Sequence, residues 1–110
     1  MQRDDETRIK HILDAAGKAH DFTRNRKRAD LEKDEMLALS LVRLLEIIGE
    51  AAGDISEEYR GKHPDIPWKK MIGLRNRLIH GYFDIDLDIV WDTVEGDLPP
   101  LIAELEKLVH

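Results

Sequence analysis

The segment Met36–Ile55, MLALSLVRLLEIIGEAAGDI, decides the fold of this chain. Its apolar side chains recur at steps of three and four residues, which is the period of an amphipathic α-helix. The main stripe consists of Leu37, Leu41, Leu44, Leu45, Ile48, Ala52 and Ile55. Further apolar residues widen this stripe beyond one face. The helix, predicted from about Leu31 to Ile55, therefore needs more than one helical neighbour.

Two features inside this segment are unfavourable for an isolated helix. Gly49 and Gly53 each cost about 1 kcal/mol relative to alanine, which a close helix crossing, for example at a dimer interface, would offset. Alternatively, Gly53 only begins the end of the helix. Glu46 and Glu50 form a like-charge pair one turn apart, which a nearby cation would relieve. The candidates are Arg75 or Arg77 and, slightly preferred, Arg43 from the same helix.

The rest of the chain also has helical periodicity. Further helices are predicted at about Asp5–Thr23, Ser56–Lys62, Pro67–His80 and from Asp84 or Asp86 onward. The segment Asp84–Asp88 alternates like a strand but is too short to build a sheet, so we interpret it as a turn that caps the fourth long helix. Gly96 and Pro99-Pro100 predict a kink or a restart capped by Asp97. The sequence predicts a single all-α domain, residues 1–110, folded as an antiparallel bundle of four to five helices.

The composition excludes several classes of protein. The chain has 110 residues, a net charge of −6 and no cysteine, which excludes disulfides and thiolate metal sites. No apolar run is long enough for a membrane span, and the polar N-terminus is unlike a signal peptide, so we expect a cytoplasmic protein with no membrane partner. The negative charge argues against a general nucleic-acid binder, and no DNA partner is expected.

The octet Arg75-Asn76-Arg77-Leu78-Ile79-His80-Gly81-Tyr82 contains the candidate chemistry. Arginine can stabilise charge on a phosphoryl group, and histidine can move a proton near neutral pH. Together they suit RNA cleavage through the ribose 2′-hydroxyl. From the residues alone, the alternative is that the arginines are solvated on a helix face and that His80 only marks a helix end. If the helix reaches His80, Asn76 can hydrogen-bond the imidazole, and the helix dipole favours its charged form. Arg75 and His80 then lie about 140° apart around the axis and do not share a face.

The positive charge of the chain is clustered in two places. Lys69, Lys70, Arg75 and Arg77 surround the octet, whereas the basic residues of segment 24–28 are interpreted as a solvated interhelical loop. No metal site is predicted. The acidic residues after the octet resemble a calcium loop, but Ile89 occupies the position that requires glycine, and no paired histidines with zinc-ligand spacing occur.

With its flanking residues, the octet resembles the motif of the HEPN superfamily. That motif is an arginine, a polar residue and a histidine four to six positions later, and Arg75, Asn76 and His80 match it. The HepT-like branch, ribonuclease toxins of HepT/MntA toxin–antitoxin pairs, adds a tyrosine two residues after the histidine, which Tyr82 matches. The flanks Leu44–Ala51 and Ile79–Asp86 are similar to this branch as well.

The resemblance implies a HEPN-like bundle that is a homodimeric, metal-independent endoribonuclease without a cofactor. His80 would act as general base or acid, Arg75 would stabilise the phosphorane, and Asn76 would orient His80 or the phosphate. The lysines and arginines near the motif, Lys69, Lys70 and Arg77, would hold the RNA backbone.

The resemblance also implies a means of silencing. An MntA-like nucleotidyltransferase antitoxin would transfer AMP to Tyr82, adding negative charge that competes with RNA for Arg75. From the residues alone, Tyr82 could equally be an aromatic side chain that packs near a helix end. Two alternatives to a ribonuclease remain at this point. One is a non-catalytic helical subunit that binds, or presents substrate to, a nucleotidyltransferase, and the weaker one is a nucleotide- or RNA-sensing scaffold.

Overall fold

The computed structural model describes residues 2–80 and 84–109. Tyr82, the predicted modification site, lies outside these residues. The elements, in chain order, are α1 (Gln2–Phe22), α2 (Asp30–Lys33), α3 (Glu35–Asp54), α4 (Glu57–Lys62), α5 (Trp68–Ile72), α6 (Leu74–Leu78), β1 (Ile79–His80), β2 (Asp84–Ile85), α7 (Leu87–Asp92), a π-helical turn (Thr93–Asp97) and α8 (Leu98–Glu106).

Helix α3 is the centre of the bundle, as its wide apolar surface predicted. It packs along α1 and also contacts α5, α6 and α7. Its buried side chains meet those of α1 and of the C-terminal helices in one continuous core. The predicted all-α bundle is therefore confirmed, and the reason is the one inferred from the sequence: α3 buries more than one face and needs several helical partners.

Gly49 explains how α5 can approach α3. A Cβ atom at Gly49 would lie 2.8 Å from the carbonyl oxygen of Met71, a distance that real Cβ atoms essentially never show. The predicted close helix crossing thus exists at this glycine, and it lies within one chain. Around Gly53, by contrast, a Cβ atom would have no described neighbour within 4 Å, so only Gly49 is required for a close approach.

Several predicted helix boundaries were wrong. The second long helix does not begin at Leu31, because the chain is extended at Asp34, whose carboxylate accepts a hydrogen bond from the Leu37 N–H and caps α3. The predicted helix Pro67–His80 is divided at Gly73 and ends at Leu78. The segment interpreted as a simple turn contains β2, which pairs antiparallel with β1 through Ile79–Ile85 and His80–Asp84.

The C-terminal third follows the predicted interruptions with one difference. Asp86 caps α7 by accepting a hydrogen bond from the Ile89 N–H, which confirms one of the two predicted caps. The kink predicted near Gly96 is the π-helical turn between α7 and α8. The side chain of Asp97 does not cap α8. It instead forms an ion pair with Lys70 at 3.1 Å.

A buried carboxylate ties the start of α1 to the start of α4. Asp5 is 2% exposed, and its two oxygens accept hydrogen bonds from the Ser56 N–H at 2.9 Å and the Ser56 hydroxyl at 2.8 Å. Burial is the largest single influence and raises the pKa of the Asp5 carboxyl, but these hydrogen bonds and the nearby positive charges, including Arg8, together lower it by more, so the net pKa lies below its usual value. The folded protein therefore favours the carboxylate over the neutral acid.

Replacing Asp5 by asparagine should destabilise the fold by about 1–3 kcal/mol at neutral pH, because a buried charged acceptor is lost. Since the pKa is lower in the folded state, this stabilisation is present above the pKa of about 3.9 of the unfolded chain and is lost as the pH falls through the folded value. In urea unfolding, the difference in the free energy of unfolding between wild type and Asp5→Asn should decrease below about pH 4. Asp4→Asn, at an exposed position, is the matched control. A difference that does not change with pH would contradict the assignment.

Within residues 2–80 and 84–109, no helix is both long enough and apolar enough to cross a membrane.

Candidate active site

Helix α6 presents the first part of the motif. Its two leucines, Leu74 and Leu78, are four residues apart and buried in the core. The three residues between them, Arg75, Asn76 and Arg77, are exposed. The leucines thus anchor this short helix and direct its polar side chains to the surface.

Arg75 is held by a carboxylate from α3. Its Nε donates a hydrogen bond to Oε2 of Glu46 at 3.2 Å. The side chain of Glu46 is only 19% exposed, whereas that of Arg75 is 60% exposed. Arg43, the partner slightly preferred from the sequence, lies 3.9 Å from Glu46 and 3.0 Å from Glu50. The two glutamates therefore have different cations nearest to them, and Arg75 is the one at Glu46.

His80 does not lie in the last turn of a helix, as the sequence had suggested. It follows the end of α6 and belongs to β1, opposite Asp84 of β2. Both inferences that assumed a continuous helix are therefore wrong: the helix dipole of α6 does not act on His80 as a final-turn residue, and Asn76 is not its helical neighbour. The His80 side chain is 64% exposed, so it is accessible to a substrate.

Asp86 is the carboxylate next to His80. Its Oδ2 lies 3.8 Å from the Nε2 atom of His80, which is too long for a hydrogen bond but close enough for charge attraction when the imidazole is protonated. Asp86 itself is fixed, since its N–H donates to the Leu78 carbonyl at 2.7 Å and its Oδ1 caps α7. The sequence indicated Asp86 only as a helix cap. The strand-like alternation of polar and apolar residues in segment 84–88 was the signal for β2, which pairs with the strand that contains His80.

The structure places the predicted catalytic residues on separate elements. Arg75 and Asn76 lie on α6 and His80 on β1, and no hydrogen bond joins any two of them in the part of the chain that the structure describes. Each charged member instead has its own carboxylate, Glu46 for Arg75 and Asp86 for His80. A carboxylate of α3 and the cap residue of α7 therefore contact the two halves of the motif separately.

The predicted backbone-binding residues differ in their availability. Lys70 forms the ion pair with Asp97 already described. Lys69 and Arg77 are exposed, and neither forms an ion pair with any carboxylate of residues 2–80 and 84–109. The arginines of segment 24–28 are occupied, since Arg24, Arg26 and Arg28 pair with acidic side chains. That distribution agrees with the interpretation of the segment as a loop.

A mostly apolar recess lies away from the motif. It has a volume of about 270 Å³, lies between α5, α6, the π-helical turn and α8, and has no member of the motif in its lining. It is lined by Asp65, Pro67, Lys70, Met71, Leu74, Thr93, Asp97, Leu98, Pro100, Leu101 and Glu104. The described residues also form no cluster of three or more histidine, aspartate or glutamate side chains that could hold a metal ion.

Comparisons with known proteins give one consistent family. A family model described as "Ribonuclease HepT-like" matches residues 12–108. A protein of Thermococcus cleftensis named "Probable ribonuclease HepT" is 37% identical over 108 residues, which cover 98% of both chains. A Methanocaldococcus jannaschii protein named "Putative RNase" is 39% identical over 105 residues, 96% of each chain. No solved structure gives a significant match.

The match extends over the bundle and over both parts of the motif, and the relatives are similar to this chain along nearly their whole length. The resemblance inferred from Arg75, Asn76 and His80 is therefore confirmed at the level of the family. The chain belongs to the HepT-like ribonuclease family.

Proposed function

We propose that this protein is a metal-independent endoribonuclease whose active site is formed by Arg75, Asn76 and His80. One observation carries the proposal: in a chain of the HepT-like ribonuclease family, an arginine and a histidine at motif spacing are both exposed, and each lies beside its own carboxylate. Arginine and histidine suffice for attack by the ribose 2′-hydroxyl, because that nucleophile belongs to the substrate.

His80 performs the proton transfers in this proposal. As a neutral imidazole it takes the proton of the 2′-hydroxyl while the 2′-oxygen forms a bond to phosphorus, and the 5′-oxygen takes a proton from water as its bond to phosphorus breaks. Alternatively, as the imidazolium it donates a proton to that leaving oxygen, and water accepts the proton of the 2′-hydroxyl. Either route produces a 2′,3′-cyclic phosphate and a 5′-hydroxyl. The Asp86 carboxylate at 3.8 Å stabilises the charged imidazole in both cases.

Arg75 acts on the charge of the phosphorane. Its Nε–H is directed to Glu46, so the N–H groups on its two Nη atoms remain for the phosphoryl oxygens. Asn76, one residue further on the exposed side of α6, orients the phosphate. Lys69 and Arg77 hold the RNA backbone, and Lys70 contributes less because Asp97 competes for it.

The experiment is cleavage of an end-labelled single-stranded RNA by the purified protein in EDTA. We expect internal cleavage of the RNA and none of a DNA of the same sequence, because DNA lacks the 2′-hydroxyl. If the protein cuts no RNA yet forms a tight complex with a nucleotidyltransferase, the alternative of a non-catalytic binding subunit replaces this proposal.

A homodimer is part of the proposal, and the outer face of α3 supports it. Met36 and Leu39 are 81% and 51% exposed, and helical spacing places them on the same face as Arg43, Glu46 and Glu50. This face combines exposed apolar groups with charges of both signs, which suits pairing with its own copy. Pairing there would bring Arg75 of one protomer towards its partner.

Light scattering should show that the wild-type protein is a dimer and that Leu39→Lys is a monomer. A monomeric wild type would contradict the proposed homodimer.

We further propose a toxin–antitoxin role in the cytoplasm, in which a partner nucleotidyltransferase transfers AMP to Tyr82. The motif position of Tyr82, two residues after His80 in the sequence, supports this proposal, since AMP adds a negatively charged phosphodiester that competes with RNA for Arg75. Intact mass after co-expression with the partner should show one or more AMP units. Tyr82→Phe should lose the addition, and Tyr59→Phe, which replaces the other tyrosine of the chain, should keep it. Addition to Tyr82→Phe would contradict the assignment.

A further inference from the structure

We infer that Glu46 is a positioning residue for the reaction: it orients the guanidinium of Arg75 so that the two Nη groups face the scissile phosphate. The inference rests on the proposed function, which assigns the phosphate to Arg75. It adds a residue outside the motif, on a different helix and 29 positions earlier in the chain.

The contact is suited to orientation because of the atoms involved. Glu46 accepts from Nε, the inner nitrogen of the guanidinium. A guanidinium has five N–H donors in one plane, and four of them belong to the Nη atoms. A hydrogen bond to Nε therefore fixes the plane of the group and leaves its outer edge free. A bidentate contact with phosphate can then use the N–H donors of the two Nη atoms.

Glu46 is better fixed than the arginine it holds. Its side chain is 19% exposed against 60% for Arg75, and it projects from α3, the central helix of the bundle. Its Oε1 atom lies 3.9 Å from Arg43, while Oε2 accepts the bond from Arg75. Since the two oxygens face different arginines, the carboxylate is held from both sides and can act as a reference point for the more exposed group.

The backbone around this contact is constrained as well. Gly49 follows Glu46 by one turn of α3, and it is the glycine whose missing Cβ lets the Met71 carbonyl approach. Met71 lies four residues before Arg75 in the chain. The close crossing at Gly49 therefore limits the distance between α3 and the segment that carries Arg75. Glu46 lies within hydrogen-bond distance of the Arg75 guanidinium at this separation. A longer separation would leave Arg75 without this partner.

A second effect of Glu46 has the opposite sign. A carboxylate neutralises part of the charge of Arg75 and competes with phosphate, so its removal could strengthen RNA binding. The arginine is mostly exposed and Glu46 occupies only Nε, so we expect orientation to dominate. The two effects are separable by kinetics: loss of orientation lowers kcat, whereas loss of competition lowers KM.

The test compares RNA cleavage by wild type, Glu46→Ala and the matched control Glu58→Ala, which removes an exposed glutamate of α4 that pairs with Lys62, away from the motif and from the outer face of α3. We expect kcat to fall by about tenfold or more in Glu46→Ala with KM nearly unchanged, and Glu58→Ala to remain near wild type. Glu46→Gln, which keeps an acceptor for Nε, should recover part of the loss. In an Arg75→Ala background, Glu46→Ala should have no further effect, because the two residues act as a pair.

The outcomes separate the inference from the function on which it rests. An inactive wild type would remove the proposed function and the inference with it. An active wild type, with Glu46→Ala equal to Glu58→Ala or faster than wild type, would overturn the inference alone. An equal additional loss in the Arg75→Ala background would also overturn it, since Glu46 would then act through the fold and not through Arg75.

Discussion

Replacing His80 by alanine should reduce RNA cleavage by about 10²–10⁴-fold, the usual contribution of a general acid–base group. The structure gives the reason: His80 is exposed, it lies beside the carboxylate of Asp86, and it follows the short helix that presents Arg75. The fold should be unaffected, because the imidazole makes no hydrogen bond to the core among the described residues. The measurement is the single-turnover cleavage rate in EDTA, with RNA binding measured in parallel.

His20→Ala is the matched control for this experiment. His20 is an exposed histidine in the last turn of α1, away from the motif, and its replacement should leave the rate unchanged. Cleavage by His80→Ala at the wild-type rate, after mock purifications have excluded a contaminating nuclease, would show that the proton transfers belong to another group.

Replacing Arg75 by alanine should lower cleavage by about 10²–10³-fold, in the range found when a donor that stabilises developing negative charge is removed. Most of the loss should be in kcat, since the charge on the phosphorane exceeds that on the bound phosphodiester. Arg75→Lys should recover little of the lost activity. Lysine has no Nε–H for Glu46 to orient, and its ammonium group has no planar fork of donors for the phosphate.

Arg77→Ala is the control that separates charge from position. Arg77 is two residues further along the same helix, exposed, and without an ion pair in the described part of the chain. Its removal should weaken RNA binding and reduce the salt dependence of binding, with a small change in kcat. If Arg75→Ala and Arg77→Ala had the same effect on both constants, Arg75 would be only one of several backbone contacts.

The architecture could be predicted from the sequence because it depends on the surface pattern of one helix. The apolar positions of α3 extend over more than one face, and only a bundle can cover them. The end of α6 could not be predicted in the same way. Residues 74–80 keep a helical pattern, and the change to strand at Ile79 depends on pairing with Ile85, which lies beyond the octet. Tertiary pairing overrides local propensity at such a position.

The motif residues of the candidate site were identifiable from the sequence, but their carboxylate partners were not. Glu46 had Arg43 within reach on the same helix, and local spacing favours such a neighbour over one 29 residues away. The contact with Arg75 depends on the packing of α5 and α6 against α3, which includes the close crossing at Gly49. The sequence indicated the location of this crossing but left its partner open. The sequence indicated Asp86 only as a helix cap, and the antiparallel pairing of β1 with β2 is what places it near His80.

The central claim is that Arg75 and His80 cleave RNA through the substrate's own 2′-hydroxyl without a metal. The most direct measurement is cleavage, in EDTA, of one RNA oligonucleotide and of the same oligonucleotide with a single 2′-deoxynucleotide at the mapped cleavage position. The account predicts that the first is cut to a 2′,3′-cyclic phosphate and a 5′-hydroxyl and that the second is not cut at that position. Cleavage at the deoxynucleotide, or cleavage that requires added Mg²⁺, would contradict it.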